Sequence, residues 1–134
     1  MIAEPDADSS LIRELYDRFN SGDEALAFAM LHPDCEFHQN PEFPGTRVHR
    51  GREGFREGLN VFLEEWEDFR FEPVEATAGK RVWMRVKIGG RGRRSGIPLK
   101  LEVFHVWDIR DGKPSRCRVF LDEEESRREA GVDG

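Results

Sequence analysis

An α+β fold, with helices laid on one face of a curved antiparallel sheet, follows from three observations. Apolar residues early in the chain recur at helical spacing, the second half alternates with period two, and Asp111-Gly112 joins two of the alternating runs. The 134 residues suit one domain, drawn at 9–130 with 1–8 as a frayed leader. Hydrophobic residues make 37% and charged residues 36%, and 10 Phe with 3 Trp argue against disorder and supply bulk for a core around one internal pocket.

Ser9 or Ser10 is placed to cap a first helix, because a serine oxygen accepts from otherwise unpaired first-turn N–H groups. Leu11, Ile12, Leu15, Tyr16 and Phe19 form its apolar stripe. Asn20-Ser21-Gly22-Asp23 ends it, with Gly22 tolerant of positive φ and Asp23 free to cap the next helix. That short second helix, near 24–31, presents Leu26, Phe28 and Ala29. It stops at His32-Pro33, since proline pushes the preceding residue out of the α region.

Residues 35–39 read as a half-buried strand with Cys35, Phe37 and Gln39 inward. The proline-rich stretch 40–45 is a loop carrying Phe43, and 46–49 adds a short strand. A third helix follows Gly51 and gathers Phe55, Leu59, Phe62, Leu63 and Trp66 on one face. From Phe69 onward the period is two, and Val82, Met84, Val86 and Ile88 oppose Arg81, Trp83, Arg85 and Lys87. Residues 89–96 read as a turn. The longest strand sets Leu99, Leu101, Val103, His105, Trp107 and Ile109 against Lys100, Glu102, Phe104, Val106 and Asp108. Asp111-Gly112 is a hairpin signal that returns the chain through Cys117, Val119 and Leu121. A polar helix at 122–130, closed by Gly131, ends the fold. Long antiparallel strands curl as they twist, so the apolar face becomes the inside of a half-open cone that a helix closes into a pocket.

The net charge is −6, yet residues 76–101 carry eight cations and no acid. This segment reads as the solvated face and turn of a hairpin, because no nucleic-acid-binding motif accompanies it. No stretch approaches the ~20 apolar residues of a membrane span. Glu4, Asp6 and Asp8 sit where the apolar core of a signal peptide belongs. Neither a nucleic-acid nor a membrane partner is expected, and the expected location is cytoplasmic. Cys35 and Cys117 both read inward and reduced, with no cation nearby to activate either thiol. The spacing of His32, Asp34, Glu36, His38 and His49 fits no established metal pattern, so neither metal nor cofactor is expected.

Four runs carry a resemblance. They are 15–23 (LYDRFNSGD), 31–37 (LHPDCEF), 50–55 (RGREGF) and 105–113 (HVWDIRDGK). In this order they resemble the SnoaL-like branch of the nuclear transport factor 2-like superfamily, from about Leu11 to Leu121. The resemblance implies a cone-shaped, cystatin-like fold: a curved antiparallel sheet wrapped around three N-terminal helices, with a short C-terminal helix. The superfamily holds ketosteroid isomerases, polyketide cyclases, epoxide hydrolases and dehydratases, so the fold alone does not settle the chemistry. A ketosteroid isomerase-like site needs an aspartate base, a tyrosine and a second aspartate. The resemblance puts Gln39 or Asn40 at the base, Leu15 near the tyrosine with Tyr16 one residue away, and His105 at the second aspartate. An epoxide hydrolase-like arginine is missing from the interior, because Arg81 and Arg85 read outward. A dehydratase-like aspartate falls on Asn20. What the resemblance leaves is a polyketide cyclase-like pocket without a donated catalytic set.

His105 is the expected catalytic residue: it interrupts an apolar face, and a buried imidazole near neutrality can move a proton. The alternative is a neutral core histidine whose ring nitrogens are satisfied by neighbours. Tyr16, Gln39, Phe43, Trp66, Met84 and Trp107 are the expected ligand contacts, with Phe43 as a lid or a simple loop anchor. His38 reads outward. Three functions stay open: cofactor-independent proton-transfer catalysis on a small apolar oxygenated molecule, binding of such a molecule without chemistry, and an interaction protein. The last rests on Trp83, Phe104, Val106 and Phe120, which read as a homodimer surface on the outer sheet face.

Overall fold

The computed structural model describes residues 6–43 and 47–132. Helices α1 (Ala7–Asn20) and α2 (Glu24–Met30) precede the short strands β1 (Glu36–His38) and β2 (Val48–Arg50). Helix α3 (Gly51–Glu65) runs directly into β3 (Trp66–Ala78). Strands β4 (Val82–Gly92), β5 (Pro98–Arg110) and β6 (Lys113–Phe120) follow, and α4 (Glu123–Ala130) closes the chain. Among the described residues the strands form one sheet in the order β2-β1-β6-β5-β4-β3, antiparallel except where β1 runs parallel to β6. The expected α+β architecture is present.

Several boundaries differ from the sequence reading, each for a local reason. Asp6, and not Ser9 or Ser10, caps α1: its carboxylate accepts from the Ser9 backbone N–H and hydroxyl, both at 2.8 Å. Residues 6–8 therefore belong to the helix and its cap, while 1–5 of the expected leader lie outside the described residues. Asp23 makes no side-chain cap. Instead Arg52 reaches the other end of α2, donating to the Leu31 and Ala29 carbonyls. Gly89 and Gly90 are paired strand residues and not part of the turn. A Cβ on Gly90 would stand 3.2 Å from the Glu67 carbonyl, so glycine lets β3 pass close to β4. The Asp111-Gly112 turn forms as expected, with both residues at positive φ (54° and 72°) and Arg110 paired to Lys113.

Alternation sorts the sheet into two faces, the inner one covered by the N-terminal helices and the outer one covered in part. The inner face packs Val82, Met84, Val86, Val103 and Trp107 against Ile12, Leu15 and Tyr16 of α1 and Phe55 and Leu59 of α3. The outer face carries Trp83, Phe104 and Val106, and here the homodimer surface expected from the sequence is corrected. These residues are buried beneath the chain's own α4, in a small second core with Ala130, Phe120 and Val132. Helix α4 is polar by composition, but Ser126 and Ala130 are fully buried against the sheet. The Trp83 indole N–H donates to Ser126 Oγ at 2.8 Å, and the Arg127 guanidinium lies 3.9 Å over the indole ring. At the far end the Arg81 N–H donates to the Ala130 carbonyl. There a Cβ on Gly79 would fall 2.6 Å from the Gly131 carbonyl oxygen. The β3–β4 turn thus receives the helix backbone to backbone.

Helix α4 also explains where part of the basic segment goes. Arg85 bonds Glu75, Glu102 and Glu123, and this triple acceptance holds its guanidinium protonated, Glu123 contributing most. Arg81 pairs with Asp108. Two of the cations clustered in sequence, Arg81 and Arg85, are thus paired with acids drawn from other elements. No described helix is long and apolar enough to cross a membrane.

Candidate functional site

The inner face and the three N-terminal helices enclose a cavity of about 200 Å³. Its walls are almost wholly aromatic and aliphatic, and no Asp, Glu, Lys, Arg, Ser or Thr lines it among the described residues. One run of ring contacts passes from Phe43 through Phe62, Phe69 and Phe71 to His105, with centroids 5.0–6.2 Å apart. A second passes from Phe37 through Phe55, stacked on Trp107 at 5.9 Å, to Tyr16. The two runs meet where Tyr16 lies edge-on to His105.

That junction holds a defined hydrogen-bond relay. The Trp107 indole N–H donates to Tyr16 Oη at 2.8 Å, and Tyr16 Oη lies 2.5 Å from His105 Nδ1. An indole only donates, so the phenol oxygen accepts from Trp107, and we assign its single proton to Nδ1, the one acceptor within hydrogen-bond reach of it among the described residues. His105 is therefore the tautomer protonated on Nε2, an assignment that follows from the network. Nε2–H has no hydrogen-bond partner among the described residues, and the ring lines the cavity. Burial pulls the His105 pKa from its ordinary 6.5 to about 4, which keeps the ring neutral at physiological pH. Burial likewise pushes the Tyr16 phenol well above its ordinary range and raises the Cys117 thiol beside it. Every titratable group at this junction is held in its uncharged form.

The structure brings most of the expected contacts together. Tyr16, Gln39, Phe43, Trp66, Trp107 and His105 all line the cavity. Leu15 and Tyr16, a full 100° apart on α1, both reach it, because the cavity wraps around the buried face of the helix. Gln39 Oε1 accepts from the Asn40 N–H at 2.9 Å, which leaves its amide N–H₂ as the unengaged end. Trp66 lines the cavity from the first residue of β3 and not from α3. Met84 is the exception: it is fully buried in the core and does not line the cavity. Alternation gives the face of a strand but not the level at which the cavity opens, and Met84 stands opposite Ala76 and His105 in packed interior.

Sequence reasoning missed Phe19, Phe69 and Phe71 as wall residues. The alternation from Phe69 was the available signal, but bulges in β3 blurred it. Asn20 is structural: its side chain bonds both the N–H and the carbonyl of Phe71, closing the exposed edge of β3. The imagined metal ligands disperse. His32 contacts Asp111 and Arg110, His38 bonds Glu36 at 2.7 Å and holds that carboxyl below its ordinary range, and His49 lies against the Phe37 ring. Among the described residues no three His, Cys, Asp or Glu groups gather into a metal-binding set.

Solved structures share this architecture. A putative polyketide cyclase from Xanthomonas campestris pv. campestris superposes with a TM-score of 0.73 at 22% identity, covering 88% of this chain and 92% of its own. TerC, co-crystallised with polyporic acid, gives 0.72 at 23% identity, with 90% and 95% covered. An NTF2-like protein from Burkholderia thailandensis gives 0.75 at 23% identity, with 94% and 98% covered. At such identities the likeness establishes the fold. No curated protein matches the chain in sequence. The SnoaL-like domain model, however, matches residues 12–116, from the first turns of α1 to within β6. That match spans most of the helices and strands described above, and the chain belongs to the SnoaL-like domain family.

Proposed function

We propose that the cavity takes a small, neutral, largely apolar molecule and that His105 donates a hydrogen bond from Nε2 to an oxygen of that molecule. The single observation that carries this reading is the Trp107–Tyr16–His105 relay, which holds a polar N–H against a largely apolar wall. The fold shared with a putative polyketide cyclase and with TerC, which was co-crystallised with polyporic acid, supports a cavity that takes a small organic molecule. A neutral imidazole donor on a carbonyl oxygen stabilises the enolate charge that develops there as an adjacent C–H loses its proton. That proton passes to a water that enters the cavity and later returns one, because no described lining group is free to accept it. This is isomerase- or cyclase-type chemistry without a cofactor. In this role His105 acts as an electrophile and not as a general base, because its Nδ1 lone pair is taken by Tyr16 and Nε2 already carries the proton.

Binding without turnover is the second reading, favoured by the lack of any carboxylate in the described lining. One experiment separates the two. 1-Tetralone is titrated into the protein while solvent deuterium incorporation beside its carbonyl is followed by NMR. Binding with accelerated exchange supports catalysis. Binding with exchange at the solvent rate supports the carrier reading, and no saturable binding of this or larger aromatic ketones removes both. The reduced, buried Cys35 and Cys117 fit our assignment of the protein to the cytoplasm, where thiols stay reduced.

A further inference from the structure

The polar groups facing the cavity divide by kind. Each strong acceptor in the wall already accepts a hydrogen bond: Nδ1 of His105 from Tyr16, Oη of Tyr16 from Trp107, and Oε1 of Gln39 from the Asn40 N–H. The donors do not find partners. Nε2–H of His105, the amide N–H₂ of Gln39 and the indole N–H of Trp66 have none among the described residues, and all three residues line the cavity. Gln39 and His105 also occupy one level of the sheet. His38 pairs with Arg118, and Val119 pairs with His105, so Gln39 stands just beyond β1 beside Val119. The Asn40 side chain donates to the Val119 carbonyl and holds this level together. Two strand spacings separate the two backbones, roughly 10 Å, with both side chains directed inward.

A wall with donors to spare and its acceptors engaged discriminates by hydrogen-bond polarity. A ketone or quinone oxygen brings lone pairs and no proton, so every polar atom that enters is satisfied. An alcohol that places its oxygen at His105 brings the same lone pairs and one O–H with no free acceptor beside it: Nδ1 is taken by Tyr16, and Gln39 Oε1, which keeps a second lone pair, stands two strand spacings away. An ammonium or carboxylate is excluded more strongly, because no counter-charge lines the cavity among the described residues. Resting on the reading of the cavity given above, we propose that it selects the carbonyl state of its ligand over the corresponding alcohol, with His105 and Gln39 as the specificity-determining donors. The substrate class is then a neutral, compact, aromatic or alicyclic carbonyl compound whose oxygens accept and do not donate.

The test uses three molecules of nearly one shape: tetralin, 1-tetralol and 1-tetralone, each titrated into the full-length protein by calorimetry at pH 7. The ketone is expected to bind about tenfold or more tighter than the alcohol, a gap equivalent to about 1.4 kcal/mol. In His105→Phe, which keeps the bulk and removes the donor, the ketone should fall to the affinity of tetralin. Gln39→Leu should weaken 6-methoxy-1-tetralone, which carries a second acceptor across the ring, more than it weakens 1-tetralone. Equal binding of alcohol and ketone to the unmodified protein overturns the selectivity while leaving the cavity as a ligand site. Binding of none of the three overturns the ligand reading and the selectivity with it.

Discussion

Tyr16 on α1 and His105 at the middle of β5 are joined by a 2.5 Å hydrogen bond that sets which imidazole nitrogen carries the proton. The helix therefore does more than close the cone. It determines the polarity of the one histidine that faces the cavity, through a phenol that Trp107 orients from two residues along the same strand.

Removing that phenol oxygen tests the relay. Tyr16→Phe leaves the Trp107 N–H and His105 Nδ1 unpaired in the interior, each costing about 1–3 kcal/mol. Urea denaturation should show a loss in that range or above, and ¹⁵N NMR should show His105 shifting toward the tautomer protonated on Nδ1. An unchanged tautomer with stability intact would mean that the relay does not set the proton.

Acid sensitivity follows from the buried imidazole. The unfolded chain binds a proton at His105 below about 6.5, whereas the folded chain does so only below about 4. Between those values the unfolded state holds more protons, so stability falls as pH falls, and the contribution is complete only above about 6.5. Across that window the unmodified protein should lose up to about 3 kcal/mol more than His105→Phe does. Parallel pH–stability curves for the two proteins would place the His105 ring in contact with water.

Helix α4 can be challenged at its anchor. Trp83→Ala should cost about 3–5 kcal/mol, as expected for an aromatic removed from a packed core. Ser126→Ala should cost about 1 kcal/mol through the lost indole hydrogen bond. Gly79→Ala should also destabilise, by about 1–3 kcal/mol, because its methyl would overlap the Ala130 and Gly131 carbonyls. If Trp83→Ala melts like the unmodified protein, the outer-face core contributes nothing.

Both cysteines should resist a bulky maleimide in the native protein and react on denaturation. Cys35 and Cys117 are 1% and 3% exposed, and burial raises both thiol pKa values, which suppresses the reactive thiolate. Rapid native labelling of Cys117 in particular would show that the cavity opens far wider than its walls suggest.

Much of this protein is determined by periodicity, a local property that any segment carries with it. The stripe of Leu11, Ile12, Leu15 and Tyr16 specifies a helix and its buried side. The alternation through Val103, His105 and Trp107 puts the histidine on the inner face, and Asp111-Gly112 specifies the hairpin because its two residues tolerate positive φ. What periodicity does not carry is the identity of the opposite surface. Trp83, Phe104 and Val106 mark an apolar outer face, but only the tertiary structure supplies α4 as its cover. The helix buries just Ser126 and Ala130 from an otherwise charged surface, too little to stand out in composition. In the same way, Met84 and His105 share a face, yet only the packing depth makes one a core residue and the other a cavity wall. The proton on Nε2 is likewise a tertiary fact. It depends on Trp107 and Tyr16 meeting across the cone from distant parts of the chain, and side chains that long reach partners their own helix or strand does not specify.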